Sequence, residues 1–341
     1  MGALTTQAHG AVLVVRFAIE PGNYLTQAIM AEFTRVVTAA ERDPSVRSVV
    51  LASAVPGMFI GHYDSEELLA GSRRGGLPLP VRLAGAVQRV VAGLGRIPGA
   101  GPLLDRGPTG GLRALQQFRD AVRQIRQSDL VFVAAIDGYA LGAGFELALT
   151  CDLRVIGDGP YTIGLPEVTF GLIPVGGGTQ ILARTLGAGA AMAALLESRL
   201  FTPEEAHREG VVHYRVKQEQ VVEEAIALAS RLSRRVPGTV RAFKRVVYDG
   251  GSGRLGRGLA MERAEFLGLA TRGPAQETVR QYATYLRDSL RAGQAPVDFY
   301  RENLPEWQER LAARHAGEPE DSGLADRDRG AGTGRDDDGT W

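Results

Sequence analysis

The chain of 341 residues contains one cysteine, Cys151. An internal disulfide is therefore excluded, and so is a metal centre built on cysteines. Lysine is nearly absent, with Lys217 and Lys244 the only two. Arginine supplies the rest of the 39 basic residues, and 39 Asp and Glu residues balance them. A net charge of zero gives no general attraction to nucleic acid or to an anionic membrane. The five histidines (His9, His62, His207, His213, His315) stand apart without ligand spacing, so no metal is expected. No apolar run reaches the roughly 18 residues that a membrane span needs. The opening MGALTTQAHGAVLVVRF lacks the basic, apolar and cleavage regions of a signal peptide in their usual order. The expectation is a soluble, cytoplasmic protein with no membrane or nucleic-acid partner.

What is present is enough apolar residue, 44%, for a substantial core. Ala11–Ala18 and Val46–Ala52 read as strands, with an amphipathic helix over Thr26–Arg42 between them. Met58–Leu69 turns from strand edge to helix. Residues 71–111 are rich in Gly, Pro and Arg, which argues against a packed segment. That stretch reads as an insertion or flap with one amphipathic helix, Val81–Leu94. Leu112–Gln127 is helical, Val131–Ile136 a strand, Gly144–Leu149 a helix and Leu153–Ile156 a strand. Short helices follow at Ile181–Leu186 and Ala190–Leu196. Thr202-Pro203-Glu204-Glu205 has the pattern of an N-cap, a first-turn proline and a capping partner. Val211–Val216 reads as a strand. From Gln220 the pattern is helical: Val221–Val236, Pro237–Tyr248, Leu259–Leu269 and Ala275–Leu290. The division expected is an α/β core over 1–216, a helical region over 217–316 and a tail over 317–341. That tail, mostly Asp, Gly and Arg, is too polar to offset its ordering entropy.

The chemistry concentrates in Val133–Gln180. A glycine-rich turn, Gly142-Ala143-Gly144, opens a helix with Glu146 in its first turn. Glu167 follows in a Pro-Glu pair after a short apolar strand. Backbone N–H groups at a helix start can hold a developing negative oxygen. Two carboxylates beside it can move protons. That combination suits chemistry on a thioester.

Three segments carry a resemblance: ALGAGFELALTCDLR, LPEVTFGLIPVGGGTQ and LFTPEEAHREGVVHYRV. Together they resemble the enoyl-CoA hydratase/isomerase (crotonase) family, whose pattern runs N/D-G-x-A-x-G-x-G-x-E-L-A, then C-D, then P-E-x-x-x-G-x-x-P-x-x-G-G-T-Q. The resemblance covers about Gly10–Val216 well and the helical remainder loosely. It implies a crotonase-like α/β spiral of ββα units, followed by helical C-terminal elements that build a trimer, commonly paired into a hexamer. It also implies an acyl thioester substrate whose oxygen, as an enolate, is held by two main-chain N–H groups. Matching Phe59 and Asp64 to the family's F-x-A-G-x-D places one donor at Tyr63; the glycine turn places the other at Ala143. The two hydratase glutamates match Glu146 and Glu167. In that role Glu146 activates the water that attacks the β-carbon, and Glu167 holds the same water and exchanges the α-carbon proton. Gly61, His62, Asp64, Gly142 and Gly144 are the implied substrate neighbours. No cofactor is implied, because CoA or phosphopantetheine is part of the substrate.

Each of these residues also has a plainer reading. Asp64 suits an N-cap for the next helix, and Glu146 could merely compensate a helix dipole. His62 could be a loop histidine that fits, and Gly176-Gly177-Gly178 a close-packed turn. Cys151 reads as a small buried residue. The arginines of the insertion (Arg73, Arg74, Arg82, Arg89, Arg96, Arg106) could meet CoA phosphates or a carrier protein, or simply be solvated. Val175 stands where the family often has glycine. The run Gly273–Tyr282 has lost most of the family's E-G-x-x-A-F-x-x-K/R-x-P, which leaves CoA and a carrier protein both open as thiol carrier. Keeping both glutamates favours an enoyl-thioester hydratase. An isomerase, a lyase, or a biosynthetic cyclase that adds a substrate hydroxyl instead of water is the second reading. A non-enzymatic binding subunit is the third, opposed by the intact glutamates.

Overall fold

The computed structural model describes residues 3–74, 80–95, 97, 104, 110–233, 237–244, 247–248, 266–268, 270–271 and 273–307. Among the described residues ten strands run in chain order: β1 Leu4–His9, β2 Val12–Phe17, β3 Ser48–Ser53, β4 Met58–Ile60, β5 Val131–Ile136, β6 Tyr139–Leu141, β7 Leu153–Asp158, β8 Ile163–Gly164, β9 Leu200–Phe201 and β10 Tyr214–Lys217. They form two sheets, ordered β1-β2-β3-β5-β7-β10 and β4-β6-β8-β9. The chain places one strand in each sheet and then a helical element, three times over. β3 and β4 precede the helix Ser65–Arg74; β5 and β6 precede Ala143–Thr150; β7 and β8 precede the 3-10 turn Glu167–Phe170. This is a spiral of ββα units, as expected. β1 pairs antiparallel with β2, and the other pairs of the large sheet are parallel.

Parallel strands joined through helices are covered on both faces, so their residues are apolar throughout. β3 and β5 are buried at every position. Val50, Ala52, Val133 and Ala135 pack against Ala225, Leu228 and Ala229 of the helix Val221–Leu232. The alternate residues Val49, Leu51, Phe132 and Ala134 face the main core with Phe33 and Val37 of the helix Gln27–Arg42. That helix is capped by Thr26, whose side chain accepts from the Ile29 N–H. The capping box at Thr202 and Glu205, with Pro203 in the first turn, forms as its sequence predicts.

Four differences from the sequence reading have physical causes. β1 carries no apolar pattern, because LTTQAH is exposed at four of six positions and holds its place by backbone pairing. The expected strand Val211–Val216 is displaced: Val211 and Val212 are buried in the bend before β10, and Val212 N–H bonds Ala206 O at 2.9 Å. The helix Val81–Leu94 is packed, against the expectation from the glycines and prolines of its segment. It buries Ala84 and Val91 against Leu112 and Leu267. Finally, two short helical turns, Pro296–Asp298 and Phe299–Asn303, bury Phe299 and Tyr300 beyond the last expected helix. Most of the expected helix Leu259–Leu269, and all of 317–341, lie outside the described residues. Among the described residues no helix is long and apolar enough to cross a membrane.

Candidate active site

The site grows from the glycine turn. Gly142 has φ 51 and ψ −125, a conformation open to glycine and strained for other residues. This sharp turn aims the next helix, Ala143–Thr150, so that Ala143 presents one of the first-turn N–H groups that lack an intrahelical acceptor. Gly144 is glycine for a different reason. A Cβ there would lie 2.1 Å from Ile60 O, so its absence lets the helix sit on β4. The far end of the helix is held by Arg154, buried, which donates to Ala148, Leu149 and Cys151 carbonyls and to Val211 O. A cation on the last carbonyls complements the helix dipole whose positive end faces the site.

The orientation of the Tyr63 N–H follows from a bridge. Leu25 N–H donates to His62 O at 2.8 Å and Asp64 N–H to Leu25 O at 2.7 Å, pairing Leu25 in parallel with Tyr63. In a parallel ladder the residue between those two bonds turns its own N–H the other way. On that other side Leu141 N–H donates to Gly61 O at 2.9 Å. The Tyr63 N–H therefore opens on the flank where Leu141, Gly142 and Ala143 run. The Tyr63 side chain is engaged elsewhere, its phenol donating to Glu67 Oε1 at 2.5 Å.

Glu146 and Glu167 line one cavity of about 690 Å³ together with His62, Tyr63, Gly142 and Ala143. Glu146 is 1% exposed, and its Oε1 accepts from Gly176 N–H (2.8 Å) and Gly178 N–H (2.7 Å). Gly178 starts the helix Gly178–Leu186, so the carboxyl also caps that helix. Burial pushes the Glu146 pKa up to about 7, against the opposing pull of the backbone N–H groups of Gly178, Gly176, Val175 and Gly177. A carboxyl poised near neutrality can exchange a proton at physiological pH. Glu167 stands at the start of its 3-10 turn and is half-buried. A Cβ on Gly142 would lie 3.2 Å from Glu167 Oε1 and 3.6 Å from His62 Cβ.

His62 donates from Nδ1 to Tyr63 O at 2.7 Å, which assigns the proton to that nitrogen and leaves Nε2 to accept from Tyr282 Oη at 3.1 Å. Burial lowers its pKa, so the ring is neutral at physiological pH. Tyr24 and Tyr300 pack on the same ring. Burial raises the pKa of Tyr282 and Tyr300 well above the usual phenol range and that of Tyr24 to about 12.

Of the implied substrate neighbours, His62 and Gly142 reach the cavity, whereas Gly61, Asp64 and Gly144 are not among its lining residues. Asp64 Oδ1 accepts from Glu67 N–H at 2.7 Å, capping the helix Ser65–Arg74 as its plainer reading predicts. Gly61 permits close passage of Gly22, whose carbonyl a Cβ would meet at 2.6 Å. Arg89 is exposed; the side chains of Arg73, Arg74, Arg82, Arg96 and Arg106 lie outside the described residues. Sequence reasoning missed the grip of Gly176 and Gly178 on Glu146. The signal was three successive glycines: Gly177 has φ 113, and a Cβ at Gly176 or Gly178 would strike Phe118 or the Glu146 carboxyl. Sequence reasoning also missed Glu66 and Glu67, which line the cavity as well.

Known proteins share sequence and fold with this chain. The chain is similar to the 2,3-dehydroadipyl-CoA hydratase of Escherichia coli, 37% identical over 150 residues, 44% of this chain and 58% of that one. The match thus spans less than two thirds of that relative. It is 28% identical to the mitochondrial methylglutaconyl-CoA hydratase of Mus musculus over 246 residues, 71% of this chain and 67% of that one. Its fold is that of the human mitochondrial delta3-delta2-enoyl-CoA isomerase, with a TM-score of 0.67 and 24% identity over 84% of this chain and 99% of that one. The enoyl-CoA hydratase of Bacillus halodurans also has a TM-score of 0.67, at 21% identity over 82% of this chain and 100% of that one. Residues 110–287 match the enoyl-CoA hydratase/isomerase family, and on that match, more than half the chain, the protein belongs to that family.

Proposed function

We propose that the protein is an enoyl-thioester hydratase, adding water across a 2,3-double bond. The observation that carries this reading is the convergence of Glu146 and Glu167 on one cavity, beside the N-terminus of the helix at Ala143. Water held between the two carboxyl groups attacks the β-carbon. The π electrons move to the thioester oxygen, and the N–H groups of Tyr63 and Ala143 hold the resulting enolate. Glu146 accepts a hydrogen bond from the attacking water. Glu167 takes the water's proton and delivers it to the α-carbon, so hydroxyl ends on Cβ and hydrogen on Cα. Each such main-chain donor is typically worth about 3–4 kcal/mol in the transition state.

CoA or a phosphopantetheine arm would be the thiol carrier, and no separate cofactor takes part. A homotrimer or hexamer, cytoplasmic location and a place in fatty acid or polyketide metabolism belong to the same proposal. Isomerase, lyase or cyclase chemistry uses the same enolate and is the second reading. It is favoured by the altered run Gly273–Tyr282, from which Tyr282 reaches the cavity. Purified protein with crotonyl-CoA and longer 2-enoyl-CoAs, followed by product analysis, tests the choice. 3-Hydroxyacyl product supports hydration. A shifted double bond or no water incorporation overturns it.

A further inference from the structure

The two main-chain donors proposed above rest on unequal supports. The Ala143 N–H stands at the start of the eight-residue helix Ala143–Thr150, whose far end Arg154 holds. The Tyr63 N–H stands on a bridge of one residue pair, Leu25 with Tyr63. A group on a loop is aimed less firmly than one on a helix or a full ladder unless other contacts support it. Side chains supply that support. The peptide before Tyr63 is held at His62 O by Leu25 N–H, and the peptide after it at Asp64 N–H by Leu25 O. Tyr63 O accepts from His62 Nδ1 at 2.7 Å. Three of the four polar groups in these two peptides are thus tied, and the fourth is the N–H proposed to meet the thioester oxygen. The clamp is itself braced. His62 Nε2 takes the Tyr282 phenol at 3.1 Å, the Tyr24 ring lies 4.7 Å from the imidazole between centroids, and Tyr300 meets it edge-on. His62 also adjoins the other donor: a Cβ on Gly142, the residue before Ala143, would lie 3.6 Å from His62 Cβ.

We infer that His62 is a positioning residue, whose Nδ1 donation to Tyr63 O sets the direction of the Tyr63 N–H and so the grip on the thioester oxygen. The inference rests on the thioester reading above and adds to it a residue that does no chemistry itself. Without the clamp the Tyr63–Asp64 peptide can rotate and carry the Tyr63 N–H off line, and a hydrogen bond weakens steeply as it bends. An oxygen that gains charge in the transition state feels that loss more than the ground-state carbonyl does. The effect therefore falls on kcat more than on KM. Were His62 only a ring that fills its place in the loop, stability would change and the two constants would keep their balance.

Two substitutions separate the clamp from the ring. An asparagine amide nitrogen sits two bonds from Cβ, as Nδ1 does, and can donate to Tyr63 O; a glutamine amide reaches one bond further, towards the Tyr282 phenol. The probe is butyryl-CoA, saturated and unreactive, bound to the full chain, with the thioester carbonyl stretch read by infrared difference spectroscopy. A well-aligned donor lowers that stretch. His62→Gln should keep less than about half of the displacement seen with the unaltered protein. His62→Asn should recover most of it. With crotonyl-CoA, His62→Gln should lower kcat by about 10–100-fold and leave KM within about threefold, and His62→Asn should regain about tenfold in kcat. An undisturbed stretch in His62→Gln overturns the inference, and so does a loss in His62→Asn as deep as that in His62→Gln. No displacement in the unaltered protein overturns it too. A displacement that follows the Nδ1 donor without hydration of crotonyl-CoA sinks the hydratase reading and leaves the positioning role standing. Hydration of crotonyl-CoA with an undisturbed stretch in His62→Gln does the reverse. Urea unfolding checks that each variant folds. Should His62→Gln not fold, His62→Asn decides: a retained displacement supports the role and a lost one overturns it.

Discussion

The two sides of the cavity are built from different material. On the α/β side the groups proposed to react are main-chain N–H groups and carboxyls fixed by backbone: Ala143 at a helix start, Tyr63 on a bridge, Glu146 in the grip of Gly176 and Gly178. On the helical side the wall is side chains, among them Phe266, Val279, Tyr282 and Leu304. Backbone geometry tolerates little movement, whereas packed side chains can be exchanged for others of similar volume. The proposed chemistry thus sits on the side that cannot drift, facing a wall of side chains that can be exchanged.

The sharpest way to break this comparison is at the carboxyls. Glu146→Gln and Glu167→Gln should each lower kcat by about 10²–10⁴-fold, and the double variant should fall little further if the two act on one water. A double loss equal to the product of the single losses would show that they act separately. Gly142→Ala tests the turn itself. It forces a non-glycine residue to φ 51 and puts a methyl beside Glu167. It should cost about 1–3 kcal/mol in chemical denaturation, together with most of the activity. Retention of both would remove the turn's importance.

Lys244→Met probes how the helical side is fastened to the core. Lys244 Nζ is buried and bonds Asp152 Oδ2 (2.7 Å), Ile125 O and Leu130 O. Breaking a buried pair costs about 3–5 kcal/mol. Here the Tyr248 phenol and Phe132 N–H still bond Asp152, so about 3 kcal/mol is expected in urea unfolding.

The fourth test is pH. The folded pKa of Glu146 is raised, so its stabilising share is fully present below the unfolded value of 4.5 and is lost as pH rises through about 7. Asp137, raised by burial to about 7, acts in the same window, so Glu146→Gln is needed to isolate one from the other. Relative to the unaltered protein, the stability of Glu146→Gln should rise between pH 5 and pH 8, by about 3 kcal/mol at most. Activity should run the opposite way, with kcat/KM increasing as Glu146 ionises near pH 7. The smallest effect belongs to the helical side. Tyr282→Phe removes the phenol that bonds His62 and should change stability by about 1 kcal/mol and kcat by less than fivefold.

Legibility in the sequence divides along the same line. Helices with one apolar face, such as Gln27–Arg42 and Gly110–Gln127, were readable from spacing. The two glutamates and the glycine turn were readable because the motif is local. β1 and β10 were harder, because exposed edge strands carry no apolar pattern. The Gly176 and Gly178 contacts with Glu146 join residues 30 and 32 positions apart through main-chain atoms. A one-dimensional pattern cannot distinguish such amides from those of any other turn. The place of Tyr282 beside His62 depends on a separation of 220 residues, beyond the reach of any local pattern.

The hold of two glycine amides on Glu146 has a spectroscopic consequence. Their N–H bonds point at the oxygen of a group that changes charge near neutrality. The amide proton shifts of Gly176 and Gly178 should therefore move with pH along one titration curve, and solvent exchange at both should slow as the carboxyl ionises. Two backbone resonances would then report the protonation state of a side chain, with no substrate added.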